Sequence, residues 1–195
     1  MSHISTIGAG MFSDLSIAVP STDITRTGYD ALSEADLKDL FANEIASIGG
    51  TKATDTYVRV TDVREFPSMG TPPNIVNVPV YGSSTSQQIQ GQSDAPSMEI
   101  QINFVAAELA DGTILGDMVG DGKAYVFRFT LLNANPDGHA SDSVGAATGL
   151  GTVENSMYFW YGKVEALQVN PQLTDGNTAT LTLSVQSDFQ GAFTV

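Results

Sequence analysis

The chain contains no cysteine, which excludes disulfides, thiolate nucleophiles and most zinc sites. Histidine is nearly as scarce: the only two are His3, in a stretch of small residues, and His139, in a polar run. Neither imidazole is placed to act as base for a Ser or Thr nucleophile. Eight basic side chains, scattered along the chain, stand against 22 acidic ones for a net charge of −14. Phosphate recognition relies on clustered Lys and Arg, so nucleic-acid binding is disfavoured, whereas an acidic wall lets DNA pass without sticking. No apolar run approaches the roughly 18 residues needed to span a bilayer. The amino terminus lacks the basic region and apolar core of a signal peptide, so the product is expected to stay in the compartment where it is made.

Catalytic signatures are also missing. There is no G-x-S-x-G elbow, and Gly120 to Lys123, GDGK, lacks both the upstream glycine and the following hydroxyl of a phosphate-binding loop. Gly149 and Gly151 are followed by Glu154 where a dinucleotide fingerprint needs a third small residue. Asp137, His139 and Asp142 match no metal-loop spacing and read as ordinary loop residues. Trp160 beside Tyr158, Phe159 and Tyr161 is a candidate sugar platform, but aromatics on both faces of a strand more often form core plus a subunit contact. The chain is not expected to be an enzyme.

What the chain does have is alternation. In Pro96 to Ala106, Met98, Ile100, Ile102 and Phe104 alternate with Glu99, Gln101 and Asn103. That spacing predicts a strand with one apolar and one hydrogen-bonding face. Before it lie a strand-like run, Tyr57 to Phe66, and a long polar segment over 67–95, so the two runs read as the legs of a projecting hairpin or loop. With 195 residues, 42% of them hydrophobic, the chain is long enough for one domain with a sizeable core. Only 15% of the residues are charged, against about 25% in ordinary soluble chains. Surface that is neither charged nor buried often belongs to a partner.

Along the chain, residues 1–11 read as a flexible arm with Gly8 and Gly10, and Leu15, Ile17 and Val19 form a first strand that Pro20 stops. Residues 20–32 read as a connection. Ser33 and Asp36 open a helix in which Leu37, Leu40, Phe41, Ile45 and Ile48 recur at helical spacing until Gly49. A short helix is predicted within 111–121, and a core strand over Ala124 to Leu132 with Tyr125, Phe127, Phe129 and Leu131 on its buried face. A second polar loop covers 133–156. Met157 to Val169, with a bend or bulge at Gly162, turns at Thr174 to Asn177 into Thr178 to Val185, and Phe189, Phe193 and Val195 finish the sheet. The sum is a mainly β fold: an antiparallel β-sandwich or partly closed barrel with one main flanking α-helix and a long projecting hairpin or loop.

This order of features resembles the major tail tube protein of long non-contractile-tailed (siphovirus-type) bacteriophages. The likeness rests on IGAGMFSDLSIAV, on the series YVRVTDVREF, YGSSTSQQIQGQSDAPSMEIQINF and AYVFRFTLL, and on YFWYGKVEALQVNPQLTDGNTATLTLSVQSDF. It implies one tail-tube-like domain over 1–195, subunits joined in hexameric rings, and rings stacked into a hollow tube whose inner strands close into a continuous barrel. It implies as partners the chain itself, a tape-measure protein, a tail terminator and tail-tip proteins, with DNA in transit and no membrane. The location it implies is the virion tail, after assembly in the host cytoplasm. On that basis Glu99, Gln101 and Asn103, with Thr130 as a neighbour, are candidates for the lumen wall. Ile7, Met11, Pro72, Tyr81, Ile89 and Trp160 are candidate subunit contacts, and the arm and the 67–95 loop are expected to order on stacking. The competing reading is a β-sandwich glycan-binding module or adhesin that uses Trp160. A hydrolase on a β scaffold and a tube cap or secretion-system tube are the remaining alternatives.

Overall fold

The computed structural model describes residues 13–20, 23–41, 43–44, 56–60, 63–68, 75–82, 84–91, 97–109, 113–131 and 156–194. The arm with Ile7 and Met11, Pro72, Lys52, the Asp137, His139 and Asp142 cluster and residues 133–155 lie outside that set. In order, the elements are β1 (Asp14–Val19), α1 (Arg26–Asp30), α2 (Glu34–Asp39), β2 (Asn43–Glu44), β3 (Thr56–Arg59), β4 (Val63–Glu65), β5 (Ile75–Val78) and β6 (Gln87–Gln90). There follow β7 (Ser97–Asn103), α3 (Ala106–Leu109), α4 (Ile114–Met118), β8 (Tyr125–Leu131), β9 (Ser156–Asn170), β10 (Thr178–Val185) and β11 (Gln190–Thr194).

The expected mainly β architecture is present as one strongly curled half-barrel sheet plus a small second sheet. The main sheet runs β2-β3-β1-β8-β9-β10-β7-β4, with β11 also on β9. All its pairings are antiparallel except β2 with β3. The 15-residue β9 is its spine. The first part of β9, to Gly162, pairs with β8, and the rest pairs with β10. The sheet therefore has two halves, β2-β3-β1-β8 with the start of β9, and the end of β9 with β10-β7-β4. Curling turns them toward each other.

Between the halves lies the main core. Leu15, Ile17, Phe127, Phe129 and Trp160 come from one side, and Val164, Met98, Ile100, Ile102, Ala179, Leu181, Leu183 and Val185 from the other. Leu109 of α3 with Leu115 and Met118 of α4 join the same core. Fully burying such a side chain contributes about 1.5–3 kcal/mol, so the alternation in β7 and β10 is enough to hold their register. Gly162 sits where β9 changes partner. A Cβ there would overlap the Ser184 carbonyl oxygen, so close approach of β10 requires glycine. The register shift expected at Gly162 instead falls between Thr182 and Leu183, where Ala166 and Val164 are the partners and Glu165 is the extra residue.

Several local expectations change. Tyr57 to Phe66 is not one strand: β3 pairs with β1 and β2, whereas β4 pairs with β7, so the run crosses from one half to the other. The legs of the long excursion do pair, as β4 with β7, and within it β5 and β6 form a separate hairpin. The helix opens at Ser33 as expected, with Ser33 and Asp36 bonding reciprocally, but it ends at Asp39 and the chain reaches β2 by Asn43. The hydrogen bonds from Ser33 to the Asp36 carboxylate hold that carboxyl below its ordinary range. Six residues make a marginal helix alone. Packing decides its end, because Phe41 leaves the helical path to lie against Tyr57 and Phe159. Within 20–32 the chain forms α1, capped by Thr25, and the helix predicted in 111–121 is the five-residue α4. Strand β8 is buried on both faces, since Val126, Arg128 and Thr130 are as inaccessible as Phe127 and Phe129.

Candidate functional site

The two halves differ on the faces turned away from the main core. Over the first half that face is covered: Tyr29 of α1, Leu37 of α2 and Phe41 pack with Ala18, Tyr57, Val126, Met157, Phe159 and Tyr161 in a second buried cluster. Over the second half, among the described residues, no element lies on it. There β7 presents Ser97, Glu99, Gln101 and Asn103, all exposed, while Met98, Ile100 and Ile102 are buried behind them. Across the ladder, Gln101 stands beside Thr180 and Glu99 beside Thr182. Thr180 stands beside Gln168, and Thr182 beside Ala166. This bare polar face is the candidate site.

Its chemistry is hydroxyl and amide. The Thr180 hydroxyl oxygen accepts from Gln101 Nε2 and from Asn170 Nδ2, each at 3.3 Å. Ser184 Oγ donates to Glu165 Oε1 at 2.7 Å. The formal charges near it are Glu99, Glu165, Lys163 and, beside Gln101 on β4, Glu65. Such a lattice offers many weak, exchangeable hydrogen bonds, and among the described residues it has no concentrated cationic patch.

Three of the lumen candidates, Glu99, Gln101 and Asn103, are thus brought together on one open face. Thr130 is not among them: it is fully buried, beside Asp14 and Met157 on the helix-covered side. Gln168, Asn170, Thr180, Thr182 and Ser184 complete the face, and the alternation of TATLTLSV carries the orientation of the last three. Their partner, β7, was not legible from local sequence. Among the contact candidates, Tyr81 (106% exposed) and Ile89 (56%) stand free on the hairpin, whereas Trp160 is at 0%. Trp160 stacks on Phe127 with centroids 5.4 Å apart and planes 6° apart, and Phe189 lies at 5.2 Å. A sugar cannot stack on a ring so enclosed, which removes the feature on which the glycan-binding reading stood.

On the covered side burial alters the titration of two tyrosines. Tyr29 is fully buried and stacks on Tyr161 at 5.7 Å. Burial is the main reason its phenol is pushed up from 10.0 to about 12, with Ser187 and Arg26 acting the other way and Asp30 and Asp188 adding to it. Burial also raises Tyr161, whose hydroxyl donates to the Ile24 carbonyl at 2.8 Å. An unfolded tyrosine ionises near pH 10. A folded pKa above that value means the fold prefers the neutral phenol, so this stabilisation is complete below pH 10 and is lost as pH rises toward about 12. Urea midpoints are expected to be level up to pH 10 and to fall above it. Tyrosinate absorbance should show part of the six tyrosines titrating late. A Tyr29→Phe variant should have a shallower decline, and an unchanged one would sink the assignment.

No protein-family model and no curated protein sequence matches this chain. Among solved structures it is similar to the SPP1 tail tube, determined by solid-state NMR and cryo-EM, with a TM-score of 0.50 at 10% identity, covering 95% of this chain and 80% of that one. It is also similar to the sheath/tube terminator of PVC, an extracellular contractile injection system, in the extended state, with a TM-score of 0.46 at 12% identity over 69% and 88% of the two chains. The PVC sheath-tube complex in the extended state gives 0.45 at 11% identity over 97% of each. The first of these establishes the fold of this chain as the tail-tube fold.

Proposed function

We propose that this chain, acting as one unit over residues 1–195, is a structural subunit that polymerises into the hollow tail tube of a bacteriophage virion. The observation that carries the reading is the bare polar face of β7, β10 and the end of β9, on a sheet with the tail-tube fold. A single copy leaves this face uncovered among its described residues, and four strands continued from copy to copy close a barrel without free edges. Rings of copies, six by resemblance, stack along the tube. Glu99, Gln101 and Asn103 then line the lumen, which holds a tape-measure protein first and carries DNA later. Hydroxyl and amide groups with few charges suit such a wall, because neither cargo is gripped. A tail terminator and tail-tip proteins close the two ends, and assembly takes place in the host cytoplasm. The role is structural and not catalytic.

The test is electron microscopy of the purified full chain across concentration and salt, with analytical ultracentrifugation alongside. Hollow filaments are expected, and their reconstruction should put Glu99, Gln101 and Asn103 on the inner wall. Filaments with Glu99 on the outer surface would overturn the lumen assignment. A chain that stays monomeric even when seeded with tail-tip complexes would overturn the tube reading.

A further inference from the structure

An aspartate followed by glycine is prone to rearrange, because glycine puts no side chain beside the amide nitrogen that attacks the carboxyl. Four such pairs occur in the chain, starting at Asp111, Asp121, Asp137 and Asp175. The described residues include the pairs at Asp121 and Asp175, and both aspartates are exposed. Their carboxyls are held very differently. Asp121 Oδ1 accepts from the Lys123 N–H at 2.8 Å and its Oδ2 from the Tyr125 hydroxyl at 2.5 Å, so both oxygens are tied to residues further along the chain. Asp175 lies in the loop of residues 171–177 between β9 and β10, and its Oδ1 accepts from the N–H of its own successor, Gly176, at 2.8 Å. Among the described residues it has no other hydrogen-bond or ion-pair partner. The Gly176 nitrogen thus rests against the oxygen bonded to the electrophilic carbon. Nothing crowds it, since a Cβ at Gly176 would meet no atom within 4 Å.

We propose that Asp175 is a site of spontaneous isomerisation to isoaspartate, a property of the single chain that does not rest on the tube reading. The Gly176 nitrogen bonds to Asp175 Cγ, and the amide proton leaves with the carboxyl hydroxyl as one water, closing a cyclic imide. Water then adds back at either imide carbonyl. Breaking the bond from Cγ to nitrogen restores aspartate. Breaking the original peptide bond instead routes the chain through the side chain and leaves a free α-carboxylate. Water lost in the first step is regained in the second, so no other reactant is needed. The product has one more backbone carbon in the loop. It lies two residues before Asn177, whose carbonyl accepts from the Phe104 N–H at 2.9 Å and whose Oδ1 accepts from the Gln172 N–H at 3.0 Å. Those bonds tie the loop to itself and to the residue after β7, so the modification is placed to loosen that end of the bare-faced half.

The test keeps the full chain dilute and warm just below neutral pH for weeks. Isoaspartate is mapped by electron-transfer fragmentation of its peptides and counted with an isoaspartyl methyltransferase. Releasing a carboxylate from one hydrogen bond costs on the order of a factor of ten in population, so isoaspartate at 175 is expected to exceed that at 121 by about tenfold or more. In the urea-unfolded chain the two sites should draw level, because both are then plain aspartate-glycine pairs. Gly176→Val crowds the attacking nitrogen with a branched side chain. It should leave the urea midpoint unchanged, since its Cβ enters open space, and should nearly abolish isoaspartate at 175. Comparable amounts at 175 and 121 in the folded chain, or undiminished formation in Gly176→Val, would overturn the proposal. An excess at 175 equally large in urea would trace it to local sequence and overturn the role given to the folded geometry.

Discussion

Trp160→Ala is expected to cost about 3–5 kcal/mol of folding stability, the range for truncating a large buried aromatic. Domains are typically stable by about 5–15 kcal/mol, so this one change removes much of the margin. The ring is fully inaccessible, lies parallel to Phe127 and touches Phe189. It fills the place where β9 passes from β8 to β10, next to Gly162. Alanine leaves a cavity there that two strands cannot close without losing register. Trp160→Phe should cost less, since it keeps the stack on Phe127 and removes an indole N–H that has no hydrogen-bond partner among the described residues. Urea unfolding followed by far-UV circular dichroism measures both. A loss below about 1 kcal/mol for Trp160→Ala, the scale of a surface change, would mean that the residue serves a subunit contact and not the core.

The second large effect lies on the covered face. Arg128 is 1% exposed, its guanidinium carbon 4.6 Å from the centre of the Phe41 ring and 4.7 Å from that of Tyr57. Its Nη2 donates to Ser16 Oγ at 3.2 Å and is 3.8 Å from Asp14 Oδ2, to which Ser16 Oγ also donates at 2.9 Å. Removing one member of a buried ion pair typically costs about 3–5 kcal/mol, because the other charge stays buried alone. Arg128→Ala is expected in that range, with the added loss of the surface on which Phe41 and Tyr57 rest. Arg128→Met combined with Asp14→Asn should cost distinctly less, since the methionine keeps most of the volume and no charge is stranded. A double-mutant cycle on Asp14 and Arg128 measures the coupling. Additive effects would show that packing, and not the ion pair, holds this residue.

Arg128 also shows what a one-dimensional reading misses. Alternation in AYVFRFTLL put Phe127 and Phe129 in the core and left Val126, Arg128 and Thr130 on the other side, which is correct for direction. It carried no sign that α1, α2 and Phe41 cover that other side. Thr130 was therefore grouped with Glu99, Gln101 and Asn103, although all four merely share a polar, outward phase. The covering elements arrive from residues 26–41, far from β8 in sequence, and Phe41 reaches Arg128 only by ending its helix early.

The period of two in β7 and β10, the capping pair Ser33 and Asp36 and the prolines were enough to determine a mainly β chain, the polar face of β7 and the start of α2. Those are local properties: the pleat dictates which side chain points where, and a hydroxyl at a helix start caps it wherever the helix sits. Tertiary structure alone decided that Tyr57 to Phe66 splits between two halves, that Gly162 serves close approach, that Trp160 is enclosed, and that one outer face is covered while the other is bare. Each of these depends on which strands meet across long sequence separations, and side-chain alternation records a direction without naming the neighbour that lies in it.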